Sequence, residues 1–128
     1  QSLCLILDRW TNVINKLTPK AFIFENVKGL LRASFAEYFE YIVLRLTYPE
    51  ITKKTSESWQ QHLDRLEKVH TKGNFDGLKY NVVFRLLNAA DYGVPQHRER
   101  VFIVGFRSDL GIEWSFPKAT HSEDELIK

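Results

Sequence analysis

The chain has 128 residues, 44% of them hydrophobic and 27% charged, and its 18 Lys and Arg against 16 Asp and Glu leave a formal net charge of +2. That length suits one domain with one real core, and the composition is neither that of a disordered tail nor that of a collagen. No apolar run approaches the roughly 18 residues of a membrane span, one cysteine makes neither an internal disulfide nor a thiolate metal cage, and so small a charge does not announce a nucleic-acid binder by bulk electrostatics.

In chain order, Leu3, Ile6, Leu7, Trp10, Val13, Ile14 and Leu17 recur at helical spacing behind Ser2, a suitable N-cap. Pro19 ends that helix. Ala21–Glu25 is a short apolar run closed by an acid, as in a buried central strand of a parallel sheet. Asn26 and Gly29 mark a turn. The pair Ser34 and Glu37 predicts a capping box opening a second helix, whose apolar face holds Phe35, Phe39, Ile42 and Leu46. A third helix is predicted over Ser56–Val69, with Trp59, Leu63 and Leu66 on one side.

Residues 50–77 are polar and are read as a peripheral insertion that the core does not need. Tyr80–Leu86 and Arg100–Phe106 alternate or run apolar as strands do, with Asn88–Gln96 an irregular connection between them. Phe116-Pro117 suggests an edge segment. The sum is an α/β layer fold, with the last two strands as an antiparallel hairpin at the edge of a mostly parallel sheet. With no methionine anywhere and an amphipathic helix beginning at once, residues 1–128 are expected to be a fragment of a longer chain.

Two places carry chemistry. Glu25 is either a surface acid or helix cap, or a carboxyl held at a strand end in a partly dry cleft, placed to share a proton with a ring nitrogen. Arg98 and Arg100 alternate at strand period, with Gln96 extending the row. They are either exposed edge cations or a guanidinium fork for a carbonyl or phosphate oxygen. His97, Arg98, Arg100 and Arg107 form the best local basic cluster, interrupted by Glu99. Cys4, between Leu3 and Leu5, reads as packing. The four histidines lack metal-ligand spacing, so no metal is expected.

Two long blocks carry a family resemblance. The segment from Pro19 to Leu31, centred on Glu25-Asn26-Val27, resembles the Glu-Asn-Val block of cytosine-5 DNA methyltransferases. The segment from Leu87 to Gly105, containing Gln96-His97-Arg98-Glu99-Arg100, resembles that family's Gln-x-Arg-x-Arg block. The resemblance implies a partial Rossmann-like methyltransferase sheet. It also implies methyl transfer from S-adenosylmethionine to C5 of a cytosine flipped out of double-stranded DNA, within a bacterial restriction–modification system. The expected location is then cytoplasmic or nucleoid-associated. By the same motifs Glu25 holds ring N3 and Arg100 approaches O2, both catalytic. Asn26, Gln96 and Arg98 support the site.

The family's Pro-Cys-Gln and glycine-rich cofactor loops are absent from these residues, and Cys4 has neither a proline before it nor a glutamine after it. The cofactor-binding residues therefore stay unknown, and the nucleophile and the target-recognition domain are expected from the remainder of the protein. A split-subunit or non-catalytic partner, and a tRNA cytosine-5 methyltransferase, are the alternatives.

Overall fold

The computed structural model describes residues 3–27, 31–96 and 98–117. In chain order they form α1 (Leu3–Leu17), β1 (Ala21–Val27), α2 (Ala36–Thr47), α3 (Trp59–Lys72), β2 (Tyr80–Asn88) and β3 (Glu99–Arg107). Short 3-10 turns lie at Ala33–Phe35, Ala89–Tyr92 and Ser108–Leu110.

Local signals set most of these boundaries, with one exchange. The capping box expected at Ser34 and Glu37 does not form: Ala33–Phe35 is a 3-10 turn, and α2 starts behind Phe35 without a side-chain cap. The capping box belongs to α3. There the Ser58 hydroxyl accepts from the Gln61 N–H, and the Gln61 side chain accepts from the Ser58 N–H. Gly73 closes α3 in the left-handed region at φ 69°, where a Cβ is disfavoured.

The sheet departs from the expected mostly parallel arrangement. It has three strands in the order β1-β3-β2, and both neighbouring pairs are antiparallel. The partial Rossmann-like sheet is therefore not the architecture of these residues. The 89–98 link is shorter than the dozen or more residues of a parallel crossover, so β3 has to turn back along β2. It then lies between β2 and β1, so the parallel-running β1 and β2 never touch. The central position suits β3, whose Val101, Ile103 and Val104 are all buried.

All three helices supply the core against one face of this sheet. Leu7 and Ile14 come from α1, Ile42 and Leu46 from α2, Leu63 and Leu66 from α3, and Tyr80, Val101 and Ile103 from the strands. Phe22 and Phe24 pack against them from β1, and Trp10 lies flat on Phe24 with centroids 4.1 Å apart. Buried Arg45 links α2 to α1, with Nη2 2.7 Å from Asp8 Oδ1 and 3.3 Å from Thr11 Oγ1. Segment 50–77, expected to be peripheral, shows solvent a polar outer side but sends Leu63 and Leu66 into the common core. Its leading loop is tied back by Arg65, which donates to both Glu57 carboxylate oxygens and to the Thr52 carbonyl.

His62 on α3 is fully buried. Its Nε2 lies 2.8 Å from the Ile51 carbonyl. A carbonyl only accepts, so Nε2 carries the proton, and in the neutral ring Nδ1 accepts from the Tyr41 hydroxyl at 2.9 Å. Burial pushes the His62 pKa below its ordinary 6.5, against the pull of that carbonyl bond. The unfolded chain thus takes up this proton first. The His62 contribution to stability is complete above about pH 6.5 and is lost as pH falls through the lower folded value. We expect the melting temperature to drop between pH 7 and 5, and the His62 ring-proton NMR titration to have its midpoint below 6.5. A midpoint at or above that value would contradict the buried neutral ring.

Candidate active site

Residues paired across an antiparallel ladder share a face. The register places Glu25 opposite Phe102 and Phe102 opposite Arg85, while Arg100 lies opposite Leu87. These residues alternate with Phe24, Val101, Ile103 and Leu86, which face the helices. The Glu25 side therefore lies away from the core, on the sheet face that none of the described helices covers. Part of that face is crossed by the segment after β3. Trp114 packs on Phe106, Phe116 packs on Trp114, and the Arg85 guanidinium sits 5.3 Å above the Phe116 ring.

At the other end of the same face lies a cleft of about 330 Å³. Glu25 Oε1 is 3.5 Å from Arg98 Nη2 and 3.5 Å from Arg100 Nε. Leu87, Val94 and Phe102 supply apolar wall, and Tyr92 stands at the rim with its hydroxyl donating to the Pro117 carbonyl at 2.9 Å. Glu25, Arg98 and Arg100 keep between 35% and 54% of their side-chain surface, so the cluster is open to a ligand. One carboxylate and two guanidinia leave a local charge of +1. Such a cleft suits a flat ring that offers apolar faces, one edge for a carboxyl and a carbonyl oxygen for a guanidinium.

The structure thus brings Glu25, Arg98 and Arg100 together. Glu25 lies inside β1, which runs on to Val27, so it is neither a helix cap nor beyond the strand end. Asn26, by strand alternation, faces the helix side, away from the cleft. Gln96 is exposed in the turn before β3, where its N–H donates to the Val94 carbonyl, and it is not a cleft wall. His97 and the Cys4 side chain lie outside the described residues. Sequence reading passed over Phe102 and Tyr92 as cleft walls. Phe102 had a usable signal: it is two residues from Arg100 and so shares its face.

Among the described residues no group of three His, Cys, Asp or Glu is arranged to hold a metal ion, and no helix is long and apolar enough to cross a membrane. S-adenosylmethionine, the methyl donor implied above, does not fit the cleft. Its sulfonium is a cation, and the cleft already carries a surplus positive charge. No described glycine lies in a turn leading from a strand into a helix: Gly73, Gly93 and Gly111 follow helical turns, Gly77 lies in the link from α3 to β2, and Gly105 lies within β3 beneath the Phe22 ring. These residues do not by themselves make a donor site.

Residues 56–127 match the sequence model of the C-5 cytosine-specific DNA methylases. The chain is 34% identical over 113 residues to the type II methyltransferase M.BspRI of Lysinibacillus sphaericus, covering 88% of this chain and 20% of that protein. It is 37% identical over 117 residues to the type II methyltransferase M.AquIA of Picosynechococcus, covering 91% and 38%. A stretch of 51 residues is 55% identical to the type II methyltransferase M.NgoPII of Neisseria gonorrhoeae, covering 40% and 15%. Among solved structures, a prophage-encoded E. coli chain described as a DNA modification methyltransferase superposes with a TM-score of 0.51 at 18% identity, over 90% of this chain and 26% of that one. The chain thus spans between a fifth and two fifths of the length of the first two relatives.

Proposed function

Because the chain belongs to the C-5 cytosine-specific DNA methylase family, we propose that it is the ring-clamping part of a DNA (cytosine-5-)-methyltransferase. The reaction is methyl transfer from S-adenosylmethionine to C5 of a cytosine flipped out of duplex DNA. The type II relatives favour a restriction–modification setting; with that reading we place the enzyme in the bacterial cytoplasm or on the nucleoid. The observation that carries the proposal is the convergence of Glu25, Arg98 and Arg100 at one apolar-walled cleft.

The chemistry follows from where charge develops. When a nucleophile adds to C6 of the pyrimidine, electron density moves toward N3 and O2. Glu25 shares a proton at N3, and the Arg100 guanidinium donates to O2, so the ring accepts that density without passing it to solvent. Arg98, which approaches the same Glu25 Oε1 as Arg100, holds that carboxyl in place when Arg100 turns to O2. The cytosine has to leave the duplex to enter such a cleft. None of the described cleft walls is a thiol; in this reading the nucleophile and the methyl donor come from the remainder of the catalytic domain, and base choice from the target-recognition domain.

The test compares the 128-residue chain with the whole protein on duplex DNA containing 5-fluorocytosine, which arrests the covalent adduct. The whole protein is expected to form the adduct and the chain alone to form none. An adduct mapped to Cys4 in the isolated chain would overturn this division of labour. Absence of adduct and of methyl transfer in the whole protein would overturn the enzyme reading in favour of a non-catalytic partner. Transfer to tRNA alone would redirect it to RNA.

A further inference from the structure

We propose that Asn88 is a positioning residue that holds Arg98 against Glu25. Arg98 is the member of the cluster least supported by the sheet. Arg100 lies within β3, paired in register with Leu87, but Arg98 precedes the strand, at the exit of the 89–98 loop. What fixes its backbone is Asn88, the last residue of β2. The Asn88 Oδ1 accepts from the Arg98 N–H at 3.1 Å and from the Ala90 N–H at 3.1 Å, and the Ala89 N–H donates to the Arg98 carbonyl at 2.9 Å.

One side-chain oxygen thus joins the entry and the exit of the loop. The Ala90 bond caps the 3-10 turn Ala89–Tyr92, as asparagine does when it mimics a backbone turn. The Arg98 bond closes the loop across its neck. Gly93, at φ 92°, provides the left-handed residue that lets the chain reverse in between. With the neck closed, the Arg98 Cα is held beside the strand end, and its guanidinium reaches Glu25 Oε1 at 3.5 Å. Without that oxygen, two N–H groups lose their acceptor, the Ala89–Arg98 backbone bond alone spans the neck, and Arg98 is freer to follow the loop into solvent. Arg100 keeps its place through the ladder.

The inference rests on the functional reading only for its importance to the reaction; the geometry can be tested in the 128-residue chain by NMR. Asn88→Ala is expected to accelerate amide exchange at Ala90 and Arg98 at least tenfold. It should also move the Glu25 carboxyl ¹³C resonance to its position in Arg98→Ala, with the Arg100 side-chain signals unchanged. Asn88→Asp retains an acceptor oxygen and should restore the wild-type Glu25 resonance. Asn88→Ser, long enough for the local Ala90 bond but too short for the neck, should free Arg98 while leaving Ala90 protected, and it serves if the alanine variant does not fold. The proposal is overturned if Asn88→Ala, or Asn88→Ser in its place, leaves the Glu25 resonance where it was. It is equally overturned if Arg100 moves as far as Arg98, or if aspartate does not rescue. Failure of the whole protein to form a fluorocytosine adduct would remove the enzyme reading and leave these NMR outcomes as they are.

Discussion

In the whole protein, Glu25→Gln is expected to lower the single-turnover rate of methyl transfer by about 10³-fold and to change DNA affinity by less than about threefold. Proton sharing by a positioned carboxyl contributes roughly 10²–10⁴ to a rate, and the glutamine amide cannot supply it. Most DNA affinity comes from phosphate contacts, which one amide in a cleft does not alter. Losing an interaction made only as charge develops in the ring lowers the rate without weakening ground-state binding. Arg100→Ala should cost a similar factor, about 10²–10³. It should also weaken retention of the flipped base, seen as reduced fluorescence of a pyrrolocytosine, which keeps O2, placed at the target position. Equal loss of rate and DNA affinity in Glu25→Gln would place Glu25 in DNA binding rather than in the chemistry.

Replacing residues 50–77 with a short glycine–serine link is expected to abolish cooperative unfolding. A long surface insertion costs little in closure entropy, so removing one that only loops outward would leave the fold near wild type. This segment does more than loop outward. Leu63 and Leu66 are 3% and 0% exposed within the shared core. Trp59 packs edge-on to Tyr38, with centroids 5.1 Å apart. His62 bonds across to Tyr41 on α2. A single Leu66→Ala already opens a cavity costing about 2–5 kcal/mol, a large part of the roughly 5–15 kcal/mol that holds a domain together. Urea unfolding followed by circular dichroism measures both. A glycine–serine variant with a wild-type midpoint would show that α3 is outside the cooperative unit.

The one-dimensional pattern of apolar residues, prolines and capping side chains determined where α1, β1, β2 and β3 lie, to within about two residues. Those signals act over a few residues and are nearly the same in any tertiary setting. The two-residue spacing of Arg98 and Arg100 put them on one side of a strand, and the two motif blocks singled out Glu25. What no local signal carried was adjacency. Ser34-Glu37 and Ser58-Gln61 are equally good capping pairs in sequence, yet only the second one closes; Ser34 lies within the 3-10 turn Ala33–Phe35 instead. Asn26 stands next to Glu25 in the chain, but because β1 continues to Val27 it faces the helices, away from the cleft. The polar surface of 50–77 was plain in its composition; the depth of its inner side depended on α2 lying alongside. That β3 enters between β1 and β2, making the sheet antiparallel and carrying Arg98 and Arg100 to Glu25, was decided by the tertiary structure alone. Strand order is set by which apolar faces and backbone edges find one another across tens of residues, and hydrophobic attraction, being non-directional, names no partner in advance.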